Sequence, residues 1–364
     1  MPRSIRLLLL LSCFCMGLAY LAGPSFLRSK KKSSGDGIVQ CIANFPIDAE
    51  YYTQVLKQRG YHGKVVSVSM DEYEKKLLMG KRRFHAFLHF TGLDFYKKVA
   101  LDANVDRVVF FNVTPKVAKK WDLSRLPKEK LVLFMWEPRT VIKEMYLPKI
   151  TDCFSKVYTW DDSLFRQKHF AKFHYPVLRP MRAFIPSFEE KKLCTLVASQ
   201  LHSDYPRELY SERTKAIEYF EKVGEEGFEF YGRGWKSGDH PSYRGAPEDK
   251  VSTIKDYRFV ICYENTSDAP GYITEKIFDC FAAGVVPIYW GAPNVADYIP
   301  EQCFIDKRRF ASMEQLHQFL KSMSREEYEG YLAHIRAYLN SEKALCFDQQ
   351  QLDQAFYEAV SGSL

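Results

Sequence analysis

The residues with the most chemical content lie between Tyr257 and Gly291. Tyr257-Arg-Phe-Val-Ile-Cys-Tyr263 reads as a buried strand that runs into a polar loop holding Glu264, Asn265, Thr266, Ser267 and Asp268. Ala269-Pro-Gly271 then leads to Tyr272 and to a short helix that opens with Thr274-Glu-Lys276, and Val286-Pro-Ile-Tyr-Trp290 follows as a second buried strand. Polar groups packed between two apolar strands are costly unless something satisfies them. A lysine in the first turn of a helix also faces the positive end of the helix dipole, which disfavours it. A bound anion would relieve that cost, because backbone N–H groups and the ammonium then converge on it. A nucleotide diphosphate is an anion of this kind.

A second chemical position is Glu137, which follows the apolar run Leu131-Val-Leu-Phe-Met-Trp136 and precedes Pro138. A carboxylate just past the carboxyl end of a buried strand faces the crevice of an open α/β sheet. Apolar neighbours such as Met135 and Trp136 would raise its pKa toward that of a useful general base; the alternative is a turn cap at the strand end. Arg213 lies near the start of a helix that follows the strand Leu196-Val-Ala-Ser199, where it could grip phosphate oxygens bidentately, with Arg207 as a rival. Gly232 and Gly234 in Tyr231-Gly-Arg-Gly234 permit a tight turn, too short for a phosphate-binding P-loop, and Arg233 reads as structural. Asp161-Asp162 lacks the Asp-X-Asp spacing of a metal site, and His85 and His89 sit in a strand-like segment as ordinary core or surface histidines.

Phe259-Val-Ile-Cys-Tyr-Glu-Asn265, Tyr272-Ile-Thr-Glu-Lys-Ile277 and Gly284-Val-Val-Pro-Ile-Tyr-Trp-Gly291, in this order and spacing, resemble the signature of the alpha-1,3/1,4-fucosyltransferases, glycosyltransferase family 10. The resemblance covers residues 257 to about 300, with weaker similarity back to about 131. It implies two Rossmann-like α/β domains facing a cleft, the GT-B architecture, and inverting transfer of L-fucose from GDP-fucose. On the matching positions it implies Glu137, in a Glu-X-Pro segment, as catalytic base. Lys276 and Arg213 would then hold the diphosphate, Glu275 and Tyr272 the ribose, and Asn265 the phosphates or the sugar. No metal is implied as a requirement; manganese or magnesium would be at most stimulatory. The implied acceptor is N-acetylglucosamine within an N-acetyllactosamine-type glycan. The alternatives are a GT-B transferase with another nucleotide-sugar donor, and a sugar-nucleotide-binding protein without turnover. The stretch from Asn265 to Tyr272 runs one residue longer than the bacterial family pattern, filled by Ala269-Pro270-Gly271, and the disulfide-linked cysteine pattern of animal members is not seen.

Length and charge set the frame around these residues. A chain of 364 residues accommodates two domains, and 46% hydrophobic with 27% charged residues is a globular composition. Six of the seven net positive charges come from Arg3, Arg6, Arg28, Lys30, Lys31 and Lys32, ahead of the first acidic residue, Asp36. That basicity flanks an apolar segment, Leu7 to Gly23, as at a membrane boundary; no basic stripe remains for nucleic acid. At about 25 Å of helix the segment is short for a bilayer core of about 30 Å. It is expected as an uncleaved signal anchor, or otherwise a cleavable signal peptide ending near Ala19-Tyr-Leu-Ala22. A eukaryotic protein of this design would face the Golgi lumen; a bacterial one would sit at the inner membrane with its catalytic domain in the cytosol. Seven cysteines lie beyond the segment, an odd number without a CxxC pair, and are expected as free thiols. No Cys/His quartet has zinc-ligand spacing.

Residues 1–37 therefore read as anchor and short stem, 38–187 as an acceptor-side domain carrying the base, 188–345 as the donor domain, and 346–364 as a C-terminal helix. Apolar runs at 62–70, 84–91, 107–111, 131–136 and 156–160 predict a parallel α/β layer that ends at the cluster Pro176, Pro180 and Pro186. The second layer is predicted from Leu193–Ser199, a helix over Ser211–Val223, and strands Phe228–Tyr231, Phe259–Tyr263 and Val285–Trp290. Gln315–Leu339 is predicted as one helix and Gln350–Val360 as another. Periodicity by itself supports only two α/β domains.

Overall fold

Strands that are apolar along their whole length, rather than alternating, belong in sheets covered on both faces, and both sheets of this protein are wholly parallel. The computed structural model describes residues 37–43, 46–69, 105–113, 123 and 127–362. The expected anchor, the run at 84–91 and the pair His85 and His89 lie outside the described residues. No helix among the described residues is long and apolar enough to cross a membrane.

The first sheet contains β1 (Ile38–Ala43), β2 (Lys64–Ser69), β3 (Val105–Phe111), β4 (Leu131–Met135), β5 (Lys156–Thr159) and β6 (Phe170–Lys172), in the spatial order β2-β1-β3-β4-β5-β6. Its central strand β4 is buried at all five positions. β1 and β6 were not anticipated; the first is only six residues long and abuts the Lys/Ser/Gly-rich stem, and the second is a three-residue edge. The second sheet contains β7 (Lys192–Val197), β8 (Phe228–Tyr231), β9 (Tyr257–Tyr263), β10 (Val286–Trp290) and β11 (Ile305–Asp306), ordered β11-β10-β9-β7-β8. Helix α1 (Ala49–Gln58) crosses from β1 to β2, α2 (Tyr210–Lys222) from β7 to β8, α3 (Lys250–Ile254) precedes β9, and α4 (Glu275–Ala283) joins β9 to β10. The expected single helix over 315–339 is two, α5 (Met313–Ser322) and α6 (Arg325–Leu339). Ser324 breaks it, because its hydroxyl accepts from the Glu327 N–H while the Glu327 carboxylate accepts from the Ser324 N–H, a reciprocal capping box.

The chain crosses between the sheets twice. The first crossing is the proline-rich stretch at 176–186. The second follows Phe347 and sends α7 (Gln349–Ser361) back onto the first sheet, where Phe356 packs on Tyr52 at 4.4 Å between ring centroids and Asp353 accepts from the Tyr51 hydroxyl at 2.6 Å. The crossings lie side by side: the Val177 and Leu178 N–H groups both donate to the Phe347 carbonyl at 3.0 Å.

Aromatic and polar contacts seal the seam. Trp160 packs on Tyr272 at 4.6 Å and Tyr175 meets the same ring at 6.0 Å. Asp162 is the polar hub, accepting from Lys172 at 2.5 Å, Asn294 at 2.8 Å and the Tyr298 hydroxyl at 2.8 Å. Burial would raise its carboxyl pKa, but these donors hold it below the ordinary value. The Asp162 N–H also donates to the Pro270 carbonyl at 3.0 Å, so the Ala269-Pro270-Gly271 segment is the part of the loop between β9 and α4 that docks on the first domain. Gly271 has φ +81°, and a Cβ there would stand 2.4 Å from the Trp160 carbonyl oxygen and 2.9 Å from Lys172 Nζ. Gly271→Ala should therefore cost about 1–3 kcal/mol of stability from the left-handed backbone together with the clash. A thermal midpoint several degrees below wild type is the expected result, and an unchanged midpoint would show that the seam tolerates separation.

Candidate functional site

The carboxyl end of β9 sets the geometry of the cleft. Its last residues are followed by Glu264, which is fully buried and would be untenable as an isolated charge. Three groups from the start of α4 satisfy it. The Thr274 N–H donates to Oε1 at 3.0 Å, the Thr274 hydroxyl reaches both carboxylate oxygens at 3.0 and 2.9 Å, and Lys276 Nζ lies 3.1 Å from Oε2. Thr274 also caps the helix. The unfavourable lysine at the positive helix end is thus compensated inside the protein, by Glu264, as well as by any anion that binds. Burial opposes the charge on Lys276, yet Glu264 and Glu275 keep its pKa above the ordinary lysine value. Gly291 is required beside this pair, since a Cβ there would come within 2.5 Å of Glu264 Cγ.

Arg213, on α2, is buried beneath the polar loop. One guanidinium nitrogen donates to the Tyr263 carbonyl at 2.7 Å, the Glu264 carbonyl at 2.8 Å and Asn265 Oδ1 at 3.1 Å. Its helix is registered against the loop by Leu209, whose N–H donates to the Asn265 carbonyl at 3.1 Å, and by the antiparallel bridge Glu208–Thr266. Arg207, the rival, contributes its carbonyl to Thr266 and Ser267 and leaves its side chain exposed. Asn265 is occupied at both ends of its amide, accepting from Arg213 and donating to the Tyr272 hydroxyl at 3.2 Å.

A cleft of about 370 Å³ opens above these residues, and Arg213, Asn265, Glu275 and Lys276 all line it. Tyr272 does not; it is buried under the loop against Trp160. Two further cations face the same space. Arg233 is exposed on the Gly232–Gly234 turn rather than engaged structurally, and Lys250, on α3, is held 3.0 Å from the buried carboxylate Asp279. Nothing in the sequence marked Lys250, since a lone lysine on a five-residue helix reads as a solvated surface group. Burial would raise the Glu275 carboxyl pKa, but Lys276 and Lys250 together hold it down to about 2, so it is an ionised acceptor at neutral pH.

Glu137 reaches the site from the first domain. Its N–H and that of Trp136 donate to Asn112 Oδ1 at 2.9 and 2.8 Å, and its carbonyl accepts from the Tyr146 hydroxyl at 2.8 Å. Asn112 itself has φ +69°, which asparagine tolerates better than most residues. These bonds fix the backbone at Glu137. Burial raises its pKa above the usual glutamate value; Lys276 opposes this and Glu275 adds to it, so all three belong to one electrostatic neighbourhood across the cleft. The other carboxylates near strand ends have structural duties. Asp161 accepts from the Ser163 N–H and hydroxyl, and Asp162 is the hub of the seam. The seven described cysteines are thiols, five of them buried.

Residues 188–357 match the family model described as glycosyltransferase family 10 (fucosyltransferase), C-terminal part. The second domain belongs to glycosyltransferase family 10. Among relatives of this family 10 domain, an alpha-(1,4)-fucosyltransferase of Arabidopsis thaliana is 43% identical over 67 residues, 18% of this chain and 16% of the relative. A GDP-fucose protein O-fucosyltransferase 3 of Canis lupus familiaris is 27% identical over 168 residues, 43% of this chain and 34% of the relative. The chain thus spans only about a sixth to a third of the length of these curated relatives. A crystal structure of an alpha1,3-fucosyltransferase superposes on 93% of this chain and 94% of its own with a TM-score of 0.53 at 14% identity. The two facing parallel-sheet domains are therefore the expected fold.

The Glu264–Lys276 pair yields a quantitative expectation for the family 10 domain. Glu264→Gln removes the carboxylate and leaves a half-buried ammonium, and breaking such a pair costs about 3 kcal/mol. Lys276→Met should be destabilising for the same reason. The double substitution should cost less than the two together, because neither charge remains to be compensated. Strict additivity in denaturation midpoints would show that the two side chains do not depend on each other.

Proposed function

We propose that this protein is an inverting fucosyltransferase that moves L-fucose from GDP-fucose to a hydroxyl of a glycan, with N-acetylglucosamine of an N-acetyllactosamine-type chain as the default acceptor. The observation that supports the reading is the cleft lined by Arg213, Lys276, Lys250 and Arg233 together with one ionised carboxylate, Glu275, whose charge, like that of Lys276, acts on Glu137 in the other domain. Four cations match a diphosphate leaving group without a metal. Glu275 suits vicinal ribose hydroxyls, as an acidic residue does in other dinucleotide sites. Glu137, with its raised pKa, takes the acceptor proton as the glycosidic bond forms; the bond to the diphosphate breaks on the opposite face, and the departing charge falls to Lys276 and Arg213. Asn265 and Tyr272 hold the loop that shapes this pocket. The apolar segment Leu7–Gly23 would tether the enzyme to a membrane.

A second reading has its own support. The relative matched over 168 residues acts, by its name, on protein rather than on glycan, so a serine or threonine hydroxyl of a polypeptide is the competing acceptor. GDP release with a panel of N-acetyllactosamine, N-acetylglucosamine and Ser/Thr peptides, with linkage analysis of the product, separates the two. No release from GDP-fucose with any member, in a protein that binds GDP, would leave a nucleotide-sugar-binding protein.

Glu137→Gln keeps the side-chain volume but accepts no proton. Turnover should fall by about 10²–10⁴-fold with donor affinity retained, because the nucleotide contacts lie in the other domain. Loss of donor affinity equal to the loss of rate would make Glu137 a donor-holding residue instead.

The pH profile gives an independent check. The base form is lost as pH falls, so kcat/KM for the acceptor should show an acid limb above the ordinary glutamate value of about 4.3. Glu275 raises the Glu137 pKa, so Glu275→Gln should move that limb to lower pH. A shift upward would contradict the assignment.

A further inference from the structure

All six strands of the first sheet run the same way, so all begin along one edge, opposite the end that carries Glu137. Lys64 opens β2, Arg107 lies near the start of β3, Lys128 comes just before β4, Lys156 opens β5 and Lys168 comes just before β6. Helix α1 runs back to the same edge and has Lys57 in its last turn. These cations are scattered from 57 to 168 in the chain, so no basic stripe shows in the sequence; the parallel topology collects them. Lys57, Lys64, Lys128 and Lys168 are exposed and have no ion-pair partner among the described residues. Exposed lysines of the second domain such as Lys192, Lys215 and Lys321 instead lie 2.7, 2.6 and 3.2 Å from Glu229, Glu212 and Glu225. The acids on the edge are Asp106, Glu129 and Asp152. Asp106 accepts from the Tyr61 hydroxyl at 3.0 Å, and Asp152 lies 3.9 Å from His169. The edge keeps a surplus of solvated positive charge.

The chain enters the fold at this same edge. Gly37, the residue before β1, accepts from the Lys64 N–H at 2.9 Å. The sequence that leads to it carries Arg28, Lys30, Lys31 and Lys32 and, ahead of these, the apolar run Leu7–Gly23. Residues 24–36 reach at most about 45 Å when fully extended, close to the diameter of about 50 Å expected for a folded unit of this size. A bilayer that holds Leu7–Gly23 therefore stays within about one molecular diameter of the edge. Tethering makes the second contact intramolecular, so a weak attraction suffices to hold it. Each lysine brought against anionic headgroups strengthens that contact by about fivefold. We propose that this edge is a membrane-facing surface that rests on anionic lipid headgroups and turns the cleft away from the bilayer. This rests on the reading of Leu7–Gly23 as a membrane tether.

Lysine footprinting tests the surface and flotation tests the tether. The full-length protein is incubated with vesicles of phosphatidylcholine alone, or of phosphatidylcholine mixed with phosphatidylserine, and labelled with an amine-reactive reagent. Mass spectrometry then gives a labelling rate for each lysine. Lys57, Lys64, Lys128 and Lys168 should label about fivefold more slowly on the mixed vesicles than on the neutral ones. The exposed Lys222 and Lys236 of the second domain should label equally on both. High salt should abolish the difference, because the contact is between solvated charges. The triple variant Lys64→Glu, Lys128→Glu, Lys168→Glu should lose the protection of Lys57 while its thermal midpoint stays at the wild-type value, since the changes are at solvated positions. Equal labelling on the two vesicles overturns the proposal. So does protection of Lys57 that survives in the triple variant, or equal protection by duplex DNA without vesicles, which would make the edge a nucleic-acid surface. Flotation with neutral vesicles reports the tether by itself. Its failure would remove the tether, and the edge would then stand only if mixed vesicles alone float the wild type and not the triple variant.

Discussion

One buried carboxylate organises the second domain's side of the cleft. Glu264 is the first residue past a central strand, has no access to solvent, and must be neutralised where it stands. The groups that neutralise it, Thr274 and Lys276, are also those that start helix α4. Their pairing fixes the length and path of the loop between them, and so the placement of Asn265 over Arg213 and of Glu275 at the rim of the cleft. An ion pair of this kind contributes little net stability when both partners are counted against apolar replacements. Its value here is positional: it holds the Lys276 ammonium at the cleft wall with its charge secured.

The first domain's side of the cleft depends on the seam. Trp160, Tyr175 and Tyr272 interlock, and the polar hub at Asp162 draws Lys172, Asn294 and Tyr298 together. Trp136 sits directly on this arrangement, since its carbonyl accepts from Trp160 Nε1 at 3.1 Å and from the Tyr175 hydroxyl. The residue after it is Glu137. The contacts that join the domains therefore also set where Glu137 begins, and the Ala269-Pro270-Gly271 segment serves that joint.

Much of the second domain was legible because β9, its loop, α4 and β10 form one unbroken segment whose apolar runs and Thr-Glu-Lys opening determine each other locally. The position of Glu137 just past a buried strand was legible for a similar reason, since Leu131–Met135 is an unbroken apolar run. What escaped was set by distant contacts. Glu264 looked like one more loop acid, because its partner is ten residues on and across a turn. Tyr272 looked like a ligand-facing tyrosine, but Trp160, from the other domain, covers it. Lys250 gains its place only from Asp279 on a different helix, and no periodicity marks it. The break between α5 and α6 was readable, since Ser324 and Glu327 have capping-box spacing; the apolar period on either side hid it. The short strand β1 was lost against the basic stem that precedes it.

The paired crossings at Val177–Leu178 and Phe347 have a mechanical consequence. A single tether between two bodies acts as a ball joint and leaves three rotations free. Two tethers fastened to each other leave one line about which the bodies can turn. Any opening of the cleft between the sheets must then be a swing about the axis through these two strands of chain. On such a swing the displacement of a residue grows with its distance from that line. A modest angle at the pivot therefore becomes the widest gap at the residues farthest from it.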